Sequence, residues 1–131
     1  MIFCLDTDII IEYFRGNAKI KARIQALSEK DSIGTTWLSY YEFFKGIYAS
    51  GKLEEEKFLQ TLLDTSLVLD SSYKSAKISG EIYANLKKTG QIISDADILI
   101  AGIVTSHDAI LVTNNTSHFK RIAGLKVENW L

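Results

Sequence analysis

The sequence contains no proline and a single cysteine, Cys4, among its 131 residues. One thiol cannot form an internal disulfide, which excludes a small domain held together by disulfides. Cys4 lies in a predicted strand, where we expect it to be a small buried hydrophobe. Without proline, a repeat or a linker-like segment, the chain shows no internal boundary. We therefore predict one domain that covers residues 1–131.

The sequence also lacks long apolar runs and an excess of either charge. No apolar run approaches the roughly 20 residues of a membrane-spanning helix, and no basic segment precedes an apolar one at the start. We expect a soluble, cytoplasmic protein with no membrane contact. The net charge of −1 and the pI near 6.1 argue against a protein that coats nucleic acid by bulk electrostatics. A nuclease stays compatible with them if local basic residues and bound cations offset phosphate repulsion.

Short apolar runs rich in β-branched residues alternate with segments of helical period. This alternation predicts a three-layer α/β/α fold in which helices flank a central parallel sheet of about five strands. The predicted strands are residues 2–5, 33–36, 67–69, 110–113 and 126–128. The predicted helices are residues 8–14, 18–30, 39–50, 53–63 and 72–88, a sixth that starts at Ser94, and a short one at 120–121. The sixth is apolar almost all round, so we expect it to be buried.

Three carboxylates, Asp6, Glu42 and Asp97, each stand where an apolar run gives way to a helix. Asp6 ends the first predicted strand, and ligands of such sheets bind outside the carboxyl ends of the strands. Two carboxylates 4 Å apart repel by about 4 kcal/mol at a protein surface, so converging acids need a cation or a proton. Oxygen-only ligands suit Mg²⁺ or Mn²⁺. We predict a divalent-metal site that activates water against a phosphodiester.

Two of these acids also have a structural explanation. Ser39 with Glu42, and Ser94 with Asp97, fit the capping box, in which a serine caps a helix and the acid bonds back to the serine N–H. Asp6 is harder to explain in this way, because an acid at the end of a buried strand is costly unless something pairs with it. No single acid carries the metal hypothesis; the ordered set of three does.

Four other ionisable residues receive secondary roles. We expect Asp8 to cap the first helix and Asp95 to favour the dipole of its own helix, each touching a metal only through water. Nothing in the sequence pairs with His107 or His118, so we predict that both are structural.

A polar segment, Thr113-Asn114-Asn115, follows the fourth predicted strand. Its amides and hydroxyl can bind a metal-bound water or a phosphate oxygen without adding negative charge. The same residue types favour a simple polar turn that opens a short helix. The segment alone does not decide between these two interpretations.

At these residues the sequence resembles the PIN-domain ribonucleases, and within them the VapC-type toxins of toxin–antitoxin pairs. The resemblance rests on residues 5–11, 39–46, 97–101 and 111–116 with Phe119, in the correct order over essentially the whole chain. It implies a metal-dependent endoribonuclease built on a central parallel sheet. It also implies a homodimer, and inhibition by a small VapB-type antitoxin whose tail covers the active site.

Carried over by position, Asp6, Glu42 and Asp97 match the three acids of the family. Asn115 falls where many members have a fourth aspartate, so we predict one firmly bound Mg²⁺, replaceable by Mn²⁺, instead of two. Asp6 and Asp97 would ligate it, and Glu42 would ligate it or orient the attacking water. The residues expected to hold water, phosphate or the RNA backbone are Thr7, Arg15, Lys45, Thr113, Asn114 and Asn115. Cleavage of RNA should leave a 5′-phosphate and a 3′-hydroxyl.

Two alternative functions remain open at this point. Asp6-x-Asp8 after a strand also resembles the opening of haloacid-dehalogenase-type phosphatases, in which Asp6 would attack phosphate, although Glu42 would then have no role. A non-catalytic binding module of the same fold is the second alternative, and Asn115 is its only support.

Aromatic side chains crowd the third predicted helix at Tyr40, Tyr41, Phe43, Phe44 and Tyr48. They spread around more than one face, so they cannot all point into the core. We predict that the surplus forms a groove for a partner helix or a dimer interface, with ordinary packing as the alternative.

Overall fold

Five short parallel strands form the central sheet, and their carboxyl ends all lie at the same edge of it. The computed structural model describes all 131 residues. The strands are β1 (Ile2–Leu5), β2 (Ser32–Thr36), β3 (Leu67–Leu69), β4 (Ile110–Val112) and β5 (Val127–Glu128), in the order β3-β2-β1-β4-β5. The predicted three-layer fold with a central parallel sheet of five strands is confirmed.

Seven α-helices and one 3₁₀ turn connect the strands. They are α1 (Thr7–Phe14), α2 (Ala18–Gln25), α3 (Trp37–Ser50), the 3₁₀ turn Leu53–Glu55, α4 (Glu56–Thr65), α5 (Tyr73–Lys88), α6 (Asp95–Ser106) and α7 (Thr116–Phe119). None of these helices combines the length and the hydropathy that a membrane-spanning helix requires.

The register of the central strand decides where the strand ends meet. On β1, Phe3 pairs with Ile33 of β2 and with Ile110 of β4. The inter-strand hydrogen bonds continue one residue beyond β1 and β4. Asp6 N donates to Val112 O at 2.9 Å, and Thr113 N donates to Glu128 O at 2.9 Å. The residues that follow β1, β4 and β5 are therefore held side by side at one edge.

Successive strand residues point to opposite faces of the sheet and divide the core in two. Cys4 and Leu111 belong to a cluster under α5 and α6, whereas Leu5 and Val112 belong to a cluster under α1 to α4. Cys4 is fully buried, as predicted. Helix α6 is buried from Ile98 to Val104 apart from Leu99, so the predicted buried helix is confirmed over that segment and not at its two ends.

Several predicted boundaries are wrong, and the cause is local hydrogen bonding. Helix α2 ends at Gln25, five residues early, because the Asp31 carboxylate accepts from the Ser28 N–H and hydroxyl and makes a turn of residues 28–31. Helix α3 starts at Trp37, two residues early, because the Thr36 hydroxyl caps it. The short helix after β4 begins at Thr116, before the predicted 120–121.

Helices α5 and α6 pack closely at a glycine. A Cβ added to Gly102 of α6 would overlap the Ser79 hydroxyl and lie 2.7 Å from the Ser75 carbonyl oxygen, both on α5. By contrast, Gly80 lies on the exposed face of α5, with open space where its Cβ would be. The absence of a side chain at position 102 therefore sets the distance between the two helices.

We predict that Gly102→Ala lowers the free energy of unfolding by about 1–3 kcal/mol, because the overlap outweighs the higher helix propensity of alanine. The matched control, Gly80→Ala, should raise it by about 0.5–1 kcal/mol, because only the propensity changes. Urea unfolding of both variants checks the pair. Equal effects at the two positions would contradict the close packing of α5 on α6.

Candidate active site

Asp6 occupies the junction of β1 and α1 and is held by bonds from both sides. It is the N-cap of α1, and its Oδ1 accepts from Thr7 N at 2.9 Å. Its Oδ2 accepts from the Thr113 hydroxyl at 2.8 Å. Thr113 follows β4 and is fully buried. The neighbouring strand end therefore fixes the orientation of the Asp6 carboxylate.

Asp8 links α1 to the segment after β4. Its Oδ2 accepts from Asn114 N at 3.0 Å and lies 3.5 Å from the Thr113 hydroxyl, and its Oδ1 accepts from Ile9 N at 2.7 Å. The prediction that Asp8 caps the first helix is wrong, because Asp6 takes the N-cap position. Asp8 instead places a second carboxylate beside Asp6.

Glu42 lies one turn into α3 and faces the start of α1. Its Oε2 accepts from the Thr7 hydroxyl at 3.0 Å. The capping-box explanation of Glu42 is wrong, because α3 is capped by Thr36, whose hydroxyl accepts from Ser39 N at 3.2 Å. Its carboxylate therefore extends the site around Asp6.

Asp97 stands in the first turn of α6. Ser94 caps this helix and accepts from Asp97 N at 3.2 Å, but the Asp97 carboxylate does not return a bond to the Ser94 N–H. It lies instead 3.5 Å from His118 Nδ1. Only half of the predicted capping box forms, so the carboxylate stays available to the site.

Sequence reasoning missed the pairing of His118. Its Nδ1 lies 2.9 Å from Asn115 Nδ2, one turn earlier in the chain, as well as 3.5 Å from Asp97. The imidazole of His118 therefore has partners, and the prediction that nothing pairs with it is wrong. The i, i+3 spacing of Asn115 and His118 was the signal that could have revealed the first contact. His107 ends α6 and contacts the Asp70 carbonyl oxygen at 3.2 Å.

Two acids of the site, Asp6 and Asp8, have raised pKa values. Burial, followed by the charge of Asp8, raises the pKa of Asp6 to about 6, and the charge of Asp97 adds to this shift. The bonds from Thr113 and Thr7 act in the opposite direction. Burial also raises the pKa of Asp8. No lysine or arginine forms an ion pair with any of these carboxylates.

Oxygen donors and uncompensated negative charge make this site suitable for a hard cation. The three predicted ligands do not form a closed cage, since no group of three His, Cys, Asp or Glu side chains is arranged to hold a metal ion. Mg²⁺ does not need such a cage, because it keeps several waters and binds proteins through one or two carboxylates. Asp6 and Asp97, whose charges interact, fit that mode of binding.

The predicted RNA-binding residues do not all gather around the acids. Arg15 lines a groove of about 480 Å³ that begins at Thr7 and Glu42, and it pairs with Glu12 at 2.9 Å. Lys45 lies outside this groove, with its ammonium 5.5 Å from the centre of the Tyr41 ring. Asn114 contributes its N–H to Asp8, and its Oδ1 accepts from Asn129 at 3.1 Å. No motif in the sequence pointed to Asn129.

Known proteins match this chain along its full length. A family model described as PIN domain matches residues 3–125. Ribonuclease VapC1 of Haemophilus influenzae (strain R2866) is 32% identical, over 99% of this chain and 98% of the relative. The tRNA(fMet)-specific endonuclease VapC of Shigella flexneri is also 32% identical, over 98% of this chain and 97% of the relative.

The structural comparison agrees with the sequence comparison. A chain in the crystal structure of VapBC2 from Rickettsia felis, bound to a DNA fragment from their promoter, superimposes with a TM-score of 0.92. The two chains are 31% identical and cover each other completely. The interpretation of Asp6 and Asp8 as a haloacid-dehalogenase pair is therefore wrong.

We predict that Asp6→Asn stabilises the metal-free protein at neutral pH. Because folding raises the pKa of Asp6 from 3.8 to about 6, its favourable contribution is fully present below pH 4 and is lost as the pH rises through 6. In EDTA at pH 7.5 the variant should gain about 1–2 kcal/mol over the wild type, and this gain should vanish near pH 4. Urea unfolding at the two pH values measures the difference.

The control for this measurement is Glu81→Gln, which removes an exposed acid on α5 that makes no side-chain hydrogen bond or ion pair. It should leave the stability unchanged at both pH values. An Asp6→Asn protein that is less stable than the wild type at pH 7.5 in EDTA would show that the carboxylate charge is compensated.

Proposed function

The chain belongs to the PIN domain family and, within it, to the VapC ribonucleases, and from this membership we propose that it is a Mg²⁺-dependent endoribonuclease. One observation supports the requirement for a metal ion. Asp6 is a carboxylate at the sheet edge, largely buried beside Asp8 and Asp97, and no basic side chain pairs with it. Such an arrangement opposes its own ionisation until a cation binds. The donors are all oxygens, which favours Mg²⁺ or Mn²⁺.

Asp6 and Asp97 would hold the ion, which supplies charge neutralisation and activates water for attack on a phosphodiester. The Thr113 hydroxyl keeps Asp6 Oδ2 oriented, and the Thr7 hydroxyl does the same for Glu42 Oε2. Glu42 Oε1 makes no hydrogen bond within the chain, so it can accept one from the attacking water. Hydrolysis by water leaves a 5′-phosphate and a 3′-hydroxyl and does not use the ribose 2′-hydroxyl.

The RNA would lie along the edge where β1, β4 and β5 end. Asn114 and Asn129 lie there, joined by a side-chain hydrogen bond, and offer amide groups to a backbone phosphate. Arg15 and Lys52, at the groove that begins at Thr7 and Glu42, add positive charge near the acids. A transfer RNA is the first substrate to test, since one relative is named a tRNA(fMet)-specific endonuclease.

The groove that starts at the acids suits a VapB-type antitoxin as a partner. Ile11, Phe14 and Phe58 line it and are exposed, and the Phe14 and Phe58 rings lie 5.5 Å apart. Exposed aromatic side chains in a groove are a typical anchor for an apolar peptide segment. The solved structural relatives include complexes of VapB with VapC. A segment in this groove would reach Glu42 and block the acids.

A homodimer is the assembly that the family resemblance implies, and one exposed apolar surface supports it. Trp37 and Leu99 are each about 40% exposed and line a shared cleft of about 210 Å³ between α3, α5 and α6. This surface lies apart from the Phe14 and Phe58 groove. We propose that it is the contact between two copies.

We predict that Asp97→Asn lowers RNA cleavage at least about 100-fold, because removing the charge weakens the hold on Mg²⁺ and on the transition state that it stabilises. The measurement is Mg²⁺-dependent cleavage of purified transfer RNA, with analysis of the product ends. Glu81→Gln serves as the control acid and should cleave like the wild type.

Three results would count against the proposed function. Full activity in EDTA would exclude a metal requirement. Product ends with a 2′,3′-cyclic phosphate would exclude water as the nucleophile. A folded wild type that binds Mn²⁺ but cleaves no RNA would favour the non-catalytic module.

We predict that Phe58→Glu weakens the binding of a VapB-type antitoxin much more than it weakens RNA cleavage. The charge would enter the groove beside Phe14, whose ring lies 5.5 Å from that of Phe58, and the affinity for a VapB-type protein should fall about 100-fold or more. Calorimetry measures the affinity, and RNA cleavage in the presence of the partner measures inhibition. Tyr83→Glu, an exposed aromatic on α5, is the matched control and should stay inhibited.

A further inference from the structure

His118 stands at the rim of the carboxylate site with one ring nitrogen engaged and the other free. Nδ1 faces Asn115 Nδ2 at 2.9 Å and Asp97 Oδ2 at 3.5 Å. Nε2 makes no hydrogen bond within the chain, and 43% of the side chain is exposed. The free edge of the ring therefore faces the solvent beside a proposed metal ligand.

The contact with Asn115 favours a proton on one ring nitrogen of His118 over the other. A neutral imidazole has one N–H, and the other nitrogen can only accept. An Asn115 amide N–H that donates to Nδ1 leaves the proton on Nε2. The competing arrangement, in which an Nδ1–H donates to Asp97, has a contact 0.6 Å longer (3.5 against 2.9 Å), at the outer limit of a hydrogen bond.

Asn115 and His118 are held in this arrangement from both ends. Asn115 N donates to the Thr113 hydroxyl at 3.0 Å, and the same hydroxyl holds Asp6. Phe119, next to His118, is completely buried and anchors α7 in the core. The imidazole is thus tied to the carboxylate network by the contacts of Asn115 and by the packing of Phe119.

We propose that Asn115 positions His118 with a proton on Nε2, so that the ring offers an N–H donor to a phosphate oxygen of bound RNA. The RNA ligand rests on the proposed function, whereas the tautomer rests on the contact between Asn115 and His118. His118 is then a substrate-binding residue, and Asn115 is the positioning residue that acts through it.

This pair meets a need of the site. Asp6, Asp8, Glu42 and Asp97 repel a phosphodiester, and an N–H donor at the rim of the site offsets part of this repulsion. It also gives a reason for an amide at position 115. A carboxylate there would accept from Nδ1–H, and Nε2 would then be a bare acceptor turned toward the phosphate.

The tautomer is measured first, on the metal-free wild-type protein at pH 8. Long-range ¹H–¹⁵N correlation spectra distinguish a protonated from an unprotonated ring nitrogen, and a His107→Asn sample assigns the two histidines. We expect the proton of His118 on Nε2, and a switch to Nδ1 in Asn115→Asp. A wild-type ring protonated on Nδ1 would overturn the proposal.

Two substitutions then test the donor. His118→Gln places an amide N–H near the position of imidazole Nε2, whereas His118→Asn reaches only as far as Nδ1. We expect RNA affinity, measured in EDTA to prevent cleavage, to stay within about 3-fold of the wild type for His118→Gln. It should fall about 10-fold for His118→Asn, the size of one lost hydrogen bond to a charged group. Mn²⁺ affinity, measured by calorimetry, should not change in either variant.

The outcomes separate this inference from the proposed function. A wild type that cleaves RNA, together with a His118→Asn protein that binds RNA as tightly, would overturn only the role of His118. Equal losses in both variants would show a structural role instead of a donor. A wild type that neither binds nor cleaves RNA would overturn the proposed function, and the phosphate ligand of His118 with it.

Discussion

The hydrogen bond from the Thr113 hydroxyl to Asp6 is the contact on which the rest of the site depends. It joins the ends of β1 and β4, and through Asn115 N, which donates to the same oxygen, it also sets the start of α7. A buried carboxylate next to two others is unfavourable, and such donors keep its cost low enough for the fold to retain it. The site is therefore built into the sheet edge and does not sit on a mobile loop.

This construction concentrates charge and leaves it uncompensated. Burial and the charges of Asp8 and Asp97 raise the pKa of Asp6, and no lysine or arginine approaches. A protein optimised only for stability would replace these acids, so their presence indicates a binding function. The two exposed surfaces, the Phe14 and Phe58 groove and the Trp37 and Leu99 cleft, share no lining residue. The proposed antitoxin and the proposed second copy would therefore not compete for one surface.

Local sequence patterns predicted most of the helices and strands of this molecule. The errors arose at helix ends, where several side chains compete to bond with the same backbone N–H groups. The β-branched runs located all five strands, because buried parallel strands are apolar on both faces. The N-cap residues were less predictable, because each helix start offers several side chains that can accept from the first N–H groups. Thr36 and not Ser39 caps α3, and Asp6 and not Asp8 caps α1. These choices mattered for function, because they left the Glu42 carboxylate free to bond with Thr7.

By itself the sequence determined the fold class, the family and the three acids, since strand periodicity and ordered motifs are properties of neighbouring residues. The tertiary structure alone decided how these acids are held and what surrounds them. Thr113 reaches Asp6 across 107 positions, Asp8 joins the site through Asn114, and His118 meets Asp97 from 21 positions away. Such contacts depend on the register of β1 with β4 and on the position of α6. That register and that position follow from packing of the whole core, which no local pattern contains.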